Sequence, residues 1–155
     1  MLRSRMIGIG FASVLATLLA GCVPQVDFDP VAIRLSSPGT PEILYTSCTP
    51  IAVEVVEVVA VENNWNDNTP RVWKIEFPSG SRMRSFVVGS TPEGAVERVH
   101  WQTPEGSKGL AARMVLEGNI GVYQDFEMRE LKVDEVVFHN RSISADEFTR
   151  ASACG

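Results

Sequence analysis

Seven of the eleven residues in 51–61 are Val or Ile. Such β-branched side chains lose rotamer freedom in a helix and fit a pleated, half-buried surface. A strand is expected here, and the rest of the domain must supply strands to pair with it. By alternation Ile51, Val53 and Val55 share one face, while Val56, Val58 and Ala60 continue on the other. That change of phase predicts a β-bulge near Val55 and Val56, or a strand buried on both sides. Glu54 and Glu57 interrupt a run that would otherwise invite aggregation. They read as solvated breaks in the apolar run, with a buried functional carboxylate as the sharper alternative.

The neighbouring stretches carry the same period. In 71–77, Trp73, Ile75 and Phe77 fall on one face and Val72, Lys74 and Glu76 on the other, as in a half-buried strand. Pro78-Ser79-Gly80 predicts a turn, with 81–88 returning as the second arm of a hairpin. Arg82 and Arg84 share a face of that arm. They are expected to pair with acids such as Glu76 across the hairpin, the alternative being a grip on a phosphate or carboxylate. In 110–117, Leu110, Ala112, Met114 and Leu116 point inward; Gly118-Asn119 predicts a type II′ turn, and 120–126 the partner strand. Weaker strands are expected at 31–35, 43–46, 96–101 and 131–139, separated by turn clusters such as 36–41. At the C-terminus, Ser144 and Glu147 form a capping box, with Ile143 and Phe148 placed for a hydrophobic staple, so a short helix should start at Ala145.

Seven to nine short strands with one terminal helix predict an all-β domain, an immunoglobulin-like β-sandwich over 31–155. A small lipocalin-like barrel is the alternative. No period of about 20–50 residues repeats, which argues against a solenoid.

The N-terminus has another character. Arg3 and Arg5 precede an apolar run over 6–20, interrupted only by the small or mildly polar Ser13 and Thr17 and ending in Leu19-Ala20-Gly21-Cys22. The run is shorter than the roughly 20 residues a membrane-spanning helix needs, and it matches the apolar core of a secretory signal. Basic start, apolar run and Leu-Ala-Gly-Cys in that order resemble the signal peptide and lipobox of bacterial lipoproteins. The resemblance implies removal of 1–21 and a thioether-linked diacylglycerol on the Cys22 sulfur, usually with an acyl chain such as palmitate on its amino group. The domain would then hang on the extracytoplasmic side of the cell membrane or outer membrane, with 22–30 as a lipidated tether. Val23 stands where an Asp would retain a Gram-negative lipoprotein at the inner membrane, which favours the outer membrane for such a source.

Lipidation also changes the cysteine and charge accounts. With Cys22 assigned to lipid, Cys48 and Cys154 remain as an even pair. In an oxidising compartment they are expected to form a disulfide, the rival being two separate buried thiols. Loss of 1–21 removes two Arg and no acid, so the formal charge falls from −5 to −7. Such a domain is a poor partner for nucleic acid or for direct contact with anionic lipid heads.

The sequence carries little recognisable chemistry. His100 and His139 fall in expected strands, and neither has Cys or His neighbours at metal-ligand spacing, so no metal or cofactor is expected. There is no Gly-x-Ser-x-Gly, no Ser-x-x-Lys and no phosphate-binding loop; Gly-Ser-Lys-Gly at 106–109 lacks the required glycine spacing. The most polar stretch, 63–70, places Trp65 among Asn64, Asn66 and Asp67. An aromatic face with amide and carboxylate neighbours suits a glycan; the competing reading is a connection whose Trp folds back onto the core. The expectation is therefore a non-catalytic module bound to the membrane through lipid on Cys22, with an envelope protein or glycan as partner. The alternatives are a carrier of a small apolar ligand, which requires the barrel, and an envelope hydrolase.

Overall fold

A computed structural model describes residues 30–47, 51–61, 68–104 and 109–151. Ten strands are found among them. They are β1 Val31–Ser37, β2 Thr40–Tyr45, β3 Val53–Val61, β4 Arg71–Ser81, β5 Ser85–Val87, β6 Val96–Val99, β7 Gly109–Leu116, β8 Ile120–Phe126, β9 Glu135–Phe138 and β10 Arg141–Ser144, followed by helix α1, Ala145–Ala151. The strands form two five-stranded sheets in the orders β10-β9-β1-β2-β5 and β6-β4-β3-β7-β8, with every pairing antiparallel. Val31, Ile33, Ile43 and Tyr45 from the first sheet pack with Val53, Val56, Val58, Trp73, Ile75, Leu110 and Met114 from the second in one core. The fold is a β-sandwich. Among the described residues the sheets do not close into the barrel of the alternative fold.

The Val-rich run is the centre of its sheet, flanked by β4 and β7. Its register shifts between Val53 and Val55 against both neighbours, which is the expected bulge displaced by about one residue. The bulge resets the phase, so Val53, Val56, Val58 and Ala60 all reach the core. The inward faces of β4 (Trp73, Ile75, Phe77) and β7 (Leu110, Ala112, Met114, Leu116) are buried as their alternation requires.

The first sheet is buried on both sides at its middle. Ala32, Val136 and Phe138 point away from the sandwich core and form a second cluster with Phe148 of α1. The Phe138 and Phe148 rings meet edge to face, 5.1 Å between centroids. Helix α1 starts as expected, with Glu147 N donating to Ser144 Oγ at 3.1 Å, and the chain thus gains a third layer over half of one sheet.

Four expectations are corrected. The strand count is ten rather than seven to nine. One extra strand arises because 135–144 is a hairpin: His139 and Asn140 both adopt positive φ, 49° and 57°, as a tight primed turn requires. His-Asn lacks the glycine that usually signals such a turn. His139 therefore lies in a turn rather than a strand, and His100 follows β6 instead of lying in it. The 78–80 turn does not fold 81–88 back onto β4. Instead β4 runs on to Ser81, and β5 crosses to pair with β2 in the opposite sheet. Gly80, at φ 69°, makes the bend possible, since a Cβ there would lie 2.9 Å from Ala52 Cβ. At the β7–β8 turn both Gly118 and Asn119 have positive φ, 83° and 62°, whereas a type II′ turn has only the first positive.

Candidate functional site

A surface depression opens where the β3 bulge and the arched end of β4 part company. It is a groove of about 720 Å³, lined among others by Glu54, Glu76, Pro78, Arg82, Arg98 and Glu117. Pro78 fits this position because the β3 register skips from Ser81 to Glu76, leaving no ladder bond that a proline would have to donate. Glu76 is the anchored acid of the groove. Lys74 Nζ and Arg98 Nε lie 2.7 Å from its two carboxylate oxygens. Hydrogen bonds from Lys74 and then Arg98 hold its carboxyl below the usual range, so it is an ionised structural partner at neutral pH. Arg82 and Arg84 were the expected partners of Glu76; its ion pairs are instead with Lys74 and Arg98. Arg84 stacks over Tyr45, 5.0 Å from the ring centroid, and Arg82 lines the groove. The hairpin that would have brought them to Glu76 does not exist, because β5 belongs to the other sheet.

The outer face of the same sheet holds a charge cluster that alternation alone did not reveal. Glu57, expected at a solvated surface, is 1% exposed. Arg71 Nε donates to its Oε2 at 2.9 Å and Arg113 Nη1 to its Oε1 at 2.8 Å. A buried carboxylate is tolerated only when both oxygens find donors, and the ladders supply them: Glu57 stands opposite Arg113 on β7 and two residues from Val59, the partner of Arg71 on β4. The signal in the sequence was an acid in an apolar run, with arginines on the two strands that come to flank it. Chain order alone does not say which strands those are.

Across the sandwich, Glu42 on β2 is held in a similar way. It accepts from Arg34 Nε at 2.6 Å and from Ser85 Oγ. Burial works against its charge, but these hydrogen bonds and the Arg34 charge hold its carboxyl below the ordinary value. It ties β1, β2 and β5 together. Gln124 on β8 does comparable work with a neutral group: its Oε1 accepts from His139 N at 3.0 Å and its Nε2 donates to Asp125 O at 2.8 Å, pinning the β9–β10 turn to the second sheet. His100 is an exposed residue whose Nδ1 lies 2.6 Å from Glu97 Oε2.

A smaller depression of about 300 Å³ lies at the other end of the second sheet, between Val61, Gly109, Asp125, Glu127, Glu130 and Asn140. Desolvation raises the Asp125 carboxyl above its usual range. Trp65, Asn64, Asn66 and Asp67, the expected glycan-facing group, lie outside the described residues, as do Cys22, Cys48 and Cys154. Among the described residues no group of three His, Cys, Asp or Glu side chains is placed to hold a metal ion, and no helix is long and apolar enough to cross a membrane. In comparisons with known protein families, curated proteins and solved structures, nothing matched the chain.

Proposed function

We propose that this chain is a lipid-anchored lipoprotein of the bacterial cell envelope whose β-sandwich is a non-catalytic binding or structural module. The observation that carries the proposal is the ordered N-terminus: Arg3 and Arg5, the apolar run over 6–20, and Leu19-Ala20-Gly21-Cys22 at its end. In this reading the mature chain starts at a diacylglycerol-modified Cys22. Seven residues lie between Cys22 and Pro30, and the eight Cα–Cα steps reach at most about 29 Å when fully extended. The sandwich is therefore held within roughly one domain diameter of the membrane, on its extracytoplasmic side.

Two structural features favour a module that presents surfaces. The space between the sheets is filled by large side chains, with Trp73, Ile75, Met114, Ile33 and Ile43 each wholly buried. The acids Glu42, Glu57 and Glu76 are each bound by basic side chains that knit neighbouring strands together. An envelope protein or glycan is the partner class we assign to the exposed loops and groove.

Cys22→Ser tests the anchor. In cells fed radiolabelled palmitate, the wild-type chain should carry label and sediment with membranes. The variant should lose the label and either leave the membrane fraction or accumulate as the unprocessed precursor. A variant that fractionates and migrates like the wild type overturns the proposal.

A further inference from the structure

We infer that the Arg82-Met83-Arg84 loop is a second membrane contact, with the two guanidinium groups on lipid phosphates and the Met83 side chain between them in the interfacial layer. The inference rests on the lipid-anchor reading. The chain enters the domain at Pro30, and this loop is its neighbour: Thr46 N donates to Pro30 O at 2.8 Å, and Tyr45 N donates to Arg84 O at 2.9 Å. Val31 and Tyr45 are partners in the β1–β2 ladder, so loop and entry point share one end of the first sheet. The tether thus brings this end to the membrane.

The loop's composition suits the surface it would meet. Arg82, Met83 and Arg84 are consecutive and all exposed, Met83 at 41%. A Met N–H bond to Ser81 Oγ, 3.2 Å, shapes the loop at its start, and stacking on Tyr45 positions Arg84. Arginine matches phosphate geometry, and its weak hydration lets it sit at a lipid interface. Flexible apolar methionine adapts to an irregular surface. The groove that Arg82 lines also holds Glu54, Glu76, Glu117 and Arg98, with Glu76 taken up by Lys74 and Arg98. The loop orients the domain without offsetting its overall negative charge. Short loops of this kind act when a lipid anchor has already supplied proximity, because the second contact is then effectively intramolecular.

Photo-crosslinking of the lipidated full-length chain in vesicles of phosphatidylglycerol and phosphatidylethanolamine tests this. A benzophenone amino acid replaces Met83 in one sample and Val133 in the other. Val133 is 49% exposed and adjoins Lys132, whose carbonyl accepts from Leu35 N toward the opposite end of β1. Lipid adducts should form at position 83 and be scarce at 133. Charge reversal of Arg82 and Arg84 to Glu should cut the adduct at 83 by about thirtyfold or more, from about 1 kcal/mol for each of the two surface cations, while the protein stays in the membrane fraction. Equal yields at the two positions, or a yield indifferent to charge reversal, overturns the inference. Met83→Asp provides a readout that spares both arginines: hydrogen exchange of 81–87 on vesicles should rise to the vesicle-free rate, and unchanged protection counts against the contact. Release of the wild-type chain from membranes would instead mark failure of the anchor itself, and the loop proposal would fall with it.

Discussion

Removing the charge of Glu57 is the sharpest probe of how the sandwich is held together. Its carboxylate is 1% exposed and receives two charge-assisted hydrogen bonds, 2.9 Å from Arg71 and 2.8 Å from Arg113. Such bonds each contribute about 1.5–3 kcal/mol, and breaking a fully buried ion pair costs about 3–5 kcal/mol. Here the arginine side chains keep 35% and 27% of their exposure, so both regain water when the carboxylate is lost. The net expectation for Glu57→Gln is a loss of about 2 kcal/mol. With a urea m-value of about 1.5–2 kcal/mol/M, the unfolding midpoint should fall by roughly 1 M at pH 7 with the slope unchanged. A double-mutant cycle with Arg113→Met should show a coupling of about 1 kcal/mol or more. A midpoint shift below about 0.3 M with no coupling would refute the reasoning, because it would mean that Glu57 is as well solvated as its place in an outward-facing row suggests.

Glu42→Gln tests the pH dependence. The folded state holds the Glu42 carboxyl below the ordinary value of 4.5, so its contribution is present above that pH and is lost as acid protonates the folded form. The variant should be less stable than wild type by about 1 kcal/mol at pH 7, with the gap closing below about pH 4 in denaturant curves taken across the acid range. Gly80→Ala should cost about 2 kcal/mol, since it places a Cβ at φ 69° and 2.9 Å from Ala52 Cβ. The melting temperature should fall by roughly 6–10 °C, and Ala52→Gly in the same chain should restore part of the loss.

Much of the sandwich was legible as alternation. Trp73, Ile75 and Phe77, and Leu110 through Leu116, announced their inward faces because a strand packed on one side must place apolar residues at every second position. The capping box at Ser144 and Glu147 was equally readable, since its bonds lie within one turn of chain. Burial of Glu57 was not legible, because its partners come from strands 14 and 56 residues away in the chain. The 78–80 turn misled for a related reason. Pro, Ser and Gly mark a bend, but whether the next strand returns to its neighbour or crosses to the other sheet depends on which edge is free to accept it.

By itself, the sequence determined that this is a β-rich domain with a terminal helix, behind a segment that resembles a lipoprotein signal, because periodicity, capping and the Leu19-Ala20-Gly21-Cys22 pattern are all written in residues close together along the chain. Only the tertiary structure decided that ten strands divide into two open sheets, that Glu57 is shielded by Arg71 and Arg113, and that Arg82, Met83 and Arg84 stand beside the point where the chain enters the domain. Those outcomes depend on which strands pair, and pairing is settled by burying the faces of both sheets together rather than by any one stretch.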